Sequence, residues 1–468
     1  MNKETNETNT IVREFEPAPV IGGSRRAVRV DGAAAADRRR HNRPARRNSA
    51  SDWWPAVTRP GPRRPNLLIA GASGHVAQAF LQRLVQRRTD FGRVVFVDPD
   101  EGVLRDAHLD HDKLDYEFVG CRISLPDDLA HYHQLLRRHE IDIVLDLTDL
   151  DTMPILTATD AAGVSYVNTA LNDGKRGVAD VVAALHPTRE QERSAPHIIS
   201  SGMNPGVVNI WVWDGFQRYG APSEIVHFEY DTSVPVDGWR PMITWSRQEF
   251  LSETVWEPTG LVEQGRLRMF PANALQRRED LRPIMEPVAR LSSYPRGLLV
   301  LHEENVKLGQ KLGASSKYIY ALHPKTMEHL HRLWRERGTV AINDLELGDN
   351  TSVPLAGSDT IGVCLDYPDQ RIYYLHSLAN SAVTGTNATC AQVAAGVDAA
   401  LSTLLAERLA PRIYFASDLY GTAYRDFVFG SLHVEHFVFE KSAGTLALKR
   451  HLPALRREFT RARECAAV

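Results

Sequence analysis

Residues 66–98 of the 468-residue chain, NLLIAGASGHVAQAFLQRLVQRRTDFGRVVFVD, constrain the fold more than any other stretch. Four apolar residues, Leu67–Ala70, predict a buried strand, and the run Val94–Val97 predicts another. A glycine turn and apolar residues at helical spacing lie between them. Strand, glycine turn, helix, strand and acidic residue is the order that a dinucleotide site requires. We therefore predict that this stretch opens a Rossmann-type α/β domain.

The residues of the turn explain how a dinucleotide would bind. Its pyrophosphate needs backbone amides at a helix N-terminus, and Gly71 and Gly74 leave those amides accessible. Asp98 can accept hydrogen bonds from both hydroxyls of an adenine ribose and would repel a 2′-phosphate, which favours NAD over NADP. A tight turn without a ligand is the alternative. The residues expected to contact the cofactor are Gly71, Ser73, Gly74, His75, Val76, Asp98, Thr148, Asp149, Asn168, Thr169, Asn204 and Pro205.

Strand and helix patterns continue to alternate as far as about residue 222. Apolar runs at 141–148, 164–168 and 197–203 are separated by helical patterns. Connections of this kind imply parallel pairing with right-handed crossovers, and hence a doubly wound sheet. A ligand of such a sheet lies at the carboxyl ends of the strands. We assign residues 63–222 to an NAD-binding domain, which a later segment near 391–430 would complete.

The N-terminal segment has a different composition from the rest. Residues 1–64 contain 14 Lys or Arg and 7 Asp or Glu, a net charge of +7; the whole chain is −3, so the remainder is −10. We predict that residues 1–62 form a disordered basic extension with no fixed partner, and nucleic acid is not an expected ligand. No apolar run approaches the roughly 20 residues of a membrane helix. We expect a cytoplasmic protein without membrane attachment.

From about residue 223 the pattern changes to alternating apolar and polar runs. These runs, at 225–233, 240–246, 296–306, 317–322, 358–367 and 370–377, predict an antiparallel sheet. We assign residues 223–390 to an α+β substrate domain and residues 391–468 to a C-terminal helical segment and tail. The helix at 391–405 is apolar all round and should be buried, and the basic tail from residue 442 favours a helix. The four cysteines are far apart and suggest neither a disulfide framework nor a metal site.

Carboxylates and aromatic residues gather in the second domain. Carboxylates bind ammonium groups by charge-assisted hydrogen bonds, and an indole face attracts a cation. The group therefore indicates a site for an organic cation, with solvated acids and core tryptophans as the alternative. Its members are Glu229, Trp245, Glu249, Glu253, Trp256, His302, Glu303, Glu304, His323 and Asp359.

Short motifs in this order resemble bacterial homospermidine synthase, within the saccharopine dehydrogenase-like superfamily. They are GASGHVAQ, SGMNPG, FEYDTS, ITWSRQEFLSE, LHEEN, HP, SDTIGV and NATCAQVAAGV, over about residues 66–405. The resemblance implies an enzyme of polyamine biosynthesis that keeps NAD bound. Such an enzyme takes a hydride from putrescine, exchanges ammonia for a second amine in the resulting imine, and returns the hydride. Asn204 of SGMNPG would lie at the nicotinamide end, and we expect a homodimer.

The resemblance also implies roles for residues of the substrate domain. Glu229, Trp245 and Glu253 would form the amine pocket, with the Trp245 ring facing the cationic imine. His302 and Glu304 of LHEEN would be the proton-transfer and orienting groups. Amine oxidation requires a deprotonated amine, so a base with a pKa near the working pH is useful, and histidine is the natural candidate.

The sequence also departs from the family, and these departures leave three hypotheses open. ALND replaces a segment that carries a glutamate, TVWEPTG replaces a longer segment, and the loop between SGMNPG and FEYDTS is short. The leading hypothesis is NAD-dependent transfer of an aminobutyl group from putrescine or a related amine. The second is a reductive dehydrogenase, as in saccharopine or carboxynorspermidine formation, with NADH or NADPH as reductant. The third is a non-catalytic NAD-sensing scaffold, against which the His302 and Glu304 pair argues.

Overall fold

The computed structural model describes residues 63–86, 90–101, 114–349, 352–442 and 444–452. The predicted basic extension, residues 1–62, and the last part of the predicted tail lie outside the described residues. The described residues from Arg64 onward belong to one compact unit.

The strands alternate with helices in the first half of the chain and cluster in the second. In chain order they are β1 (Leu67–Ala70), β2 (Val94–Val97), β3 (Tyr116–Val119), β4 (Ile143–Asp146), β5 (Ser165–Asn168), β6 (His197–Ile199), β7 (Glu224–Asp231), β8 (Val234–Pro235), β9 (Met242–Ile243), β10 (Gly260–Glu263), β11 (Arg266–Met269), β12 (Arg278–Asp280), β13 (Arg296–Val300), β14 (Ser315–Leu322), β15 (Glu346–Leu347), β16 (Leu355–Ala356), β17 (Ser358–Asp366), β18 (Gln370–Ala379), β19 (Ile413–Phe415), β20 (Glu435–Ser442) and β21 (Thr445–Leu452).

The helices are named below by their residues. The α-helices of the described residues are His75–Gln86, Leu129–Arg138, Thr152–Ala161, Val178–Leu185, Val207–Tyr219, Arg247–Leu251, Arg282–Met285, Glu303–Leu312, Pro324–Arg337, Ala388–Ala406 and Ala423–Ser431. A π-helical turn, Ser252–Trp256, continues one of them. Short 3-10 turns are His186–Thr188, Ala274–Gln276, Ile342–Asp344, Asn380–Ala382 and Ala416–Leu419.

The first sheet is the predicted doubly wound parallel sheet. Its seven strands lie in the order β19-β6-β5-β4-β1-β2-β3, and each neighbouring pair is parallel. Apolar side chains on the two faces of the sheet contribute to two separate core clusters. The strand order reverses around β1, which places a crevice at the carboxyl ends of β1, β2 and β4. In the chain, the edge strand β19 lies between β18 and β20, which both belong to the second sheet.

The second sheet is mixed, whereas the alternating runs suggested an antiparallel one. Its ten strands follow the order β11-β10-β14-β7-β17-β18-β20-β21, with β12 and β13 beside β14. The pair β14 and β7 is parallel, with Tyr318 opposite His227 and Tyr320 opposite Glu229. The long connection from β7 to β14 contains helices, which allows the two strands to pair in parallel. An alternating sequence pattern does not distinguish this pairing from an antiparallel hairpin.

Three local predictions in this half were wrong. The run at 296–306 forms a strand only to Val300, because His302 caps the helix Glu303–Leu312. The run at 240–246 contributes the two residues of β9, and a helix starts at Arg247. Residues 445–452 form β21 instead of a helix, paired with β20 through a turn with Gly444 at a φ of +80°. Ladder hydrogen bonds to β20 there outweigh intrinsic helix propensity.

The helix Ala388–Ala406 is buried, as predicted. Among the described residues it is the helix long and apolar enough, by length and composition, to cross a membrane, yet 72% of that window is buried inside the protein. Its small residues allow close packing: a Cβ atom on Gly396 would lie 2.1 Å from the carbonyl oxygen of Gly202. The Ser201 hydroxyl donates a hydrogen bond to the Gly396 carbonyl at 2.9 Å. This contact supports the turn that carries Asn204.

Candidate active site

A cavity of about 750 Å³ lies between the carboxyl ends of the first sheet and the second sheet. This volume falls in the range of cofactor and substrate sites. Most of the residues predicted from the sequence line it, which brings the two parts of the chain together in one site. They are Gly71, Ser73, Gly74, His75, Val76, Asp98, Thr148, Asp149, Thr169, Asn204, Pro205, Glu229, Trp245, Glu253 and His302.

Two predicted residues do not line the cavity. The Asn168 side chain accepts a hydrogen bond from Ser200 N at 2.9 Å and donates one to the Ala170 carbonyl at 2.6 Å. It therefore connects the ends of β5 and β6. The expected contact between Asn168 and the cofactor is not supported, because backbone groups occupy the polar atoms of the side chain. Glu304 is fully buried behind His302.

The cofactor end of the cavity is built on the glycine turn. Gly71 has a φ of +75°, and a Cβ atom there would lie 2.6 Å from the Leu147 carbonyl oxygen. The close approach of β1 and the segment after β4 therefore requires glycine. The helix His75–Gln86 begins beside the cavity, and its first N–H groups form an anion-binding N-terminus.

Asp98 is held in place at the end of β2. Its Oδ2 atom accepts a hydrogen bond from Ser73 N at 3.0 Å, and its Oδ1 atom accepts one from Asp100 N at 2.9 Å. Only 6% of Asp98 is exposed. The glycine turn, the helix N-terminus and this fixed carboxylate fit a nicotinamide dinucleotide. The cavity is also lined by Arg122, which the sequence analysis missed and whose guanidinium is the kind of group that binds a 2′-phosphate.

His302 lies between two carboxylates. Its Nε2 atom is 2.9 Å from Glu253 Oε2, and its Nδ1 atom is 3.3 Å from Glu304 Oε1. Burial disfavours the imidazolium, but the charges of Glu253 and Glu304 outweigh it and raise the pKa of His302 well above its usual value. Burial likewise opposes ionisation of Glu304, and the positive His302 lowers the pKa of Glu304. This corrects the expectation of a histidine whose pKa lies near the working pH.

Glu229 lines the cavity from β7. Its Oε2 atom accepts hydrogen bonds from the Tyr318 hydroxyl, at 2.5 Å, and from the Asn204 amide. Burial is the main reason that the pKa of Glu229 rises to about 7. Tyr318 and Tyr320 both line the cavity and were missed as site residues. Their signal was the alternation in KYIYAL, which places both rings on one face of the strand.

Trp245 and a group of carboxylates form the cavity wall on the substrate side. Trp245 Nε1 donates a hydrogen bond to the Tyr320 hydroxyl at 3.2 Å. Glu249 and Asp149 lie close to Glu253 along this wall. Burial, with the charges of Glu253 and Asp149, raises the pKa of Glu249 to about 8. The wall therefore attracts cations.

The remaining members of the predicted cluster lie elsewhere. Trp256 ends the π-helical turn and is 44% exposed. Glu303 is buried against Asn209, and His323 caps the helix Pro324–Arg337. Asp359 is fully buried opposite Asp231 on β7. The cluster was therefore only partly a site, because several of its acids cap or brace helices.

Comparison with known proteins agrees with the cofactor end of this site. Residues 67–198 match the profile of the family described as saccharopine dehydrogenase NADP binding domain. No curated protein sequence matches the chain. Among solved structures, the amine dehydrogenase from Mycobacterium smegmatis has 11% identity and a TM-score of 0.35, and the match covers 76% of this chain and 95% of that one. The WlbA dehydrogenase from Chromobactrium violaceum, in complex with NADH and UDP-GlcNAcA, has 12% identity, a TM-score of 0.34 and coverages of 78% and 91%.

The fold and the site define a class of protein. A Rossmann-like domain presents a dinucleotide cradle to a cavity whose other wall carries titratable groups, as in a pyridine-nucleotide oxidoreductase. More particularly, residues 67–198 of the first domain are similar to the saccharopine dehydrogenase NADP binding domain.

Proposed function

We propose that the protein is an NAD-dependent enzyme that acts on a primary amine, and that it transfers an aminobutyl group from putrescine to a second amine, as homospermidine synthase does. The observation that carries this proposal is the acidic wall opposite the cofactor cradle. Carboxylates that raise one another's pKa, as Glu253 and Asp149 do for Glu249, repel each other when ionised. A bound ammonium group would relieve that repulsion.

Bound NAD would supply a hydride acceptor for the amine carbon and later a hydride donor for the imine. The chain's own residues would do the rest. Gly71, Gly74 and Asp98 would hold the dinucleotide at the end of the first sheet, and Asn204 would lie near its reactive ring. Backbone hydrogen bonds, such as that from Gly71 N to the Val97 carbonyl, hold the elements that carry these residues in place.

Trp245 would face the cationic part of the substrate. An indole face attracts a cation, and the Trp245 ring is oriented by its bond to Tyr320 and by an edge contact with Phe250, whose ring centroid lies 6.1 Å away. Glu229 and Glu253 would bind ammonium groups by charge-assisted hydrogen bonds. A pocket with a cation-attracting ring between carboxylates suits a diamine better than a neutral substrate.

A reductive dehydrogenase that joins an amine to a carbonyl compound is the second candidate. It is favoured by Arg247, which lines the cavity beside Trp245 and Glu249 and could bind the carboxylate of a keto acid. Arg122 would then suit NADPH as the reductant. The homodimer and the cytoplasmic location expected from the sequence remain parts of the proposal.

Mass spectrometry of the reaction products tests the proposal. Purified protein, NAD and putrescine deuterated on the carbons beside its amino groups should give homospermidine without net NADH, and the product should retain the label because the same hydride is returned. NADH or NADPH consumption with a keto acid and an amine would replace the proposal by the reductive reaction. Dinucleotide binding with no product from a panel of amines would leave the sensing scaffold.

A further inference from the structure

We infer that Glu229, and not His302, accepts the proton that the substrate amine loses before oxidation, and that His302 acts as a fixed cation that positions Glu253. This inference rests on the proposed function, because it assigns the proton acceptor of amine oxidation. It reverses the roles that the sequence suggested for the two residues.

His302 has no free ring nitrogen with which to accept a proton. Nε2 faces Glu253 at 2.9 Å and Nδ1 faces Glu304 at 3.3 Å, so both nitrogens serve as donors to carboxylates. Glu304 is fully buried, and a buried carboxylate needs a counter-charge. His227, the other imidazole near Glu304, is buried, which lowers its pKa to about 4 and leaves it neutral. The positive charge that balances Glu304 therefore lies on His302.

Glu229 has the geometry of a proton acceptor. It lines the cavity, and the hydrogen bonds from Tyr318 and Asn204 both go to its Oε2 atom. Oε1 receives neither of those bonds, while the two donors fix the plane of the carboxylate. A base must be oriented within hydrogen-bond reach of the proton that it takes, and a pKa of about 7 for Glu229 suits a proton acceptor near neutral pH.

Two other acids near Glu229, Asp231 and Asp359, are buried, and burial raises the pKa of both. Asp231 lies on the same face of β7 and accepts hydrogen bonds from Ser233 N and the Thr244 hydroxyl. Asp359, opposite Asp231 on β17, is fully buried, and among the described residues no donor faces its Oδ1 atom. Burial, with the charges of Glu229 and Asp231, raises the pKa of Asp359 well above its usual value. The raised pKa favours the neutral form of Asp359, whose Oδ2 atom accepts a hydrogen bond from Gln392 Nε2 at 3.0 Å.

The other groups that face Glu229 are phenols and the His302 imidazolium. Tyr320 is opposite Glu229 on β14. Tyr318 lies two residues before Tyr320 on the same face of the strand. Burial raises the pKa of both phenols, so they remain neutral donors. Glu229 differs from Asp231 and Asp359 because it lines the cavity, where a substrate amine can reach it.

The proton transfer can be written in full. The substrate enters as R–CH2–NH3⁺ and Glu229 as a carboxylate. One N–H bond breaks, its proton forms an O–H bond on Glu229, and its electron pair stays on nitrogen as a lone pair. Bound NAD would supply the hydride acceptor: the lone pair would form the C=N bond as the C–H bond breaks and its electron pair is transferred as hydride, which would give an iminium ion. The Glu229 proton is available for the ammonia that departs later.

The pH dependence of a single oxidation step tests the inference. Protein with bound NAD is mixed with amine, without an acceptor amine, and formation of reduced nicotinamide is followed from pH 5.5 to pH 9. The unaltered protein should show a limb that rises with an apparent pKa of about 7. In Glu229→Gln this rising limb of the pH–rate profile should be absent, and the oxidation rate should fall at least about 100-fold, with dinucleotide affinity unchanged. His302→Gln should be slower but keep the limb.

Two variants serve as controls. Glu303 is as buried as Glu229, and its pKa is also raised to about 7, chiefly by burial, but it does not line the cavity. Glu303→Gln should keep the limb. Asp359→Asn replaces an acid whose raised pKa favours the neutral form by a neutral amide, so it should retain the activity and the limb.

An infrared difference spectrum supplies a readout other than turnover. Binding of the amine should produce the C=O band of a protonated carboxylic acid in the unaltered protein, and this band should be absent in Glu229→Gln. Two results would overturn this inference and leave the proposed function standing. The first is oxidation by the unaltered protein together with an unchanged rising limb in Glu229→Gln. The second is loss of that limb in His302→Gln alone. Absence of amine oxidation by the unaltered protein would overturn both.

Discussion

Nε2 of His302 lies 2.9 Å from Oε2 of Glu253, across 49 residues of sequence. This contact connects the start of the helix Glu303–Leu312 to the π-helical turn Ser252–Trp256. Single π-helical turns often occur at functional sites, because they turn a side chain away from the regular helix. Here the turn directs Glu253 to a buried cation, so one ion pair sets the geometry of the substrate wall.

Replacing Glu253 by Gln should reduce stability in a pH-dependent way. The folded pKa of His302 is raised above the unfolded value of 6.5, so the stability gained from its protonation is fully present below about pH 6.5 and is lost as the pH rises through the folded pKa. We expect Glu253→Gln to lower the free energy of unfolding by about 1–3 kcal/mol at pH 6 and by less at high pH. Urea unfolding at several pH values measures this. The exposed Glu263→Gln serves as control, and an equal cost for Glu253→Gln at all pH values would contradict the prediction.

Gly71→Ala should lower both stability and dinucleotide binding. The added Cβ would lie 2.6 Å from the Leu147 carbonyl oxygen, at a φ of +75°. Gly163 has a similar φ of +71° with nothing within 4 Å, so Gly163→Ala isolates the backbone strain. We expect the free energy of unfolding to fall by about 1 kcal/mol in Gly163→Ala and by about 1–3 kcal/mol more in Gly71→Ala. Equal losses in urea unfolding would show that the contact with Leu147 is unimportant.

Asp98→Asn should weaken NADH binding and reduce discrimination against NADPH. The substitution removes the charge that repels a 2′-phosphate and leaves one oxygen for the N–H groups of Ser73 and Asp100. We expect NADH affinity to fall about tenfold, equivalent to about 1.4 kcal/mol, and the ratio of NADH to NADPH affinity to fall with it. Fluorescence titration measures both. Asp100→Asn, which keeps the backbone N–H, is the matched control, and an unchanged ratio in Asp98→Asn would assign the choice to other residues.

Glu249→Gln should stabilise the ligand-free protein at high pH and weaken amine binding. Burial and neighbouring carboxylates raise the pKa of Glu249 from 4.5 to about 8, so stability is lost as the pH rises through that value. A thermal melt at pH 9 should therefore show a higher Tm for the variant than for the unaltered protein. Putrescine affinity should fall about tenfold in the variant. If putrescine bound both proteins equally, Glu249 would not belong to the amine site.

Trp245→Ala should reduce amine turnover about 5- to 30-fold while NAD still binds. The substitution removes the ring that would face the cation, a contribution of about 1–2 kcal/mol, as well as packing against Phe250. Trp245→Phe keeps an aromatic face but loses the bond to Tyr320, so it should retain part of the activity. Steady-state rates with putrescine and NADH titrations measure the two properties separately. Unchanged turnover in Trp245→Ala would remove the cation-binding role.

The first sheet and its cofactor cradle were predictable because their signals are local. The run Leu67–Ala70, the glycine turn and Asp98 occur within one stretch, and the alternation of strands and helices predicts parallel pairing with right-handed crossovers. The parallel pairing of β7 with β14 was not predictable, because it depends on a long connection. The strand β19 also joins the first sheet from far along the chain, and it lies within the segment near 391–430 that was expected to complete the first domain.

The sequence by itself determined the dinucleotide domain, the buried helix Ala388–Ala406 and most residues of the cavity wall. Only the tertiary structure decided their protonation and their roles. The pKa of His302 is raised because the carboxylates of Glu253 and Glu304 face its two nitrogens, and the pKa of Glu229 rises to about 7 because the residue is buried, with the charge of Asp231 adding to the effect. Motif spacing identifies which residue types are present. The charge on each depends on burial and on neighbours across the sheet, which folding alone brings together.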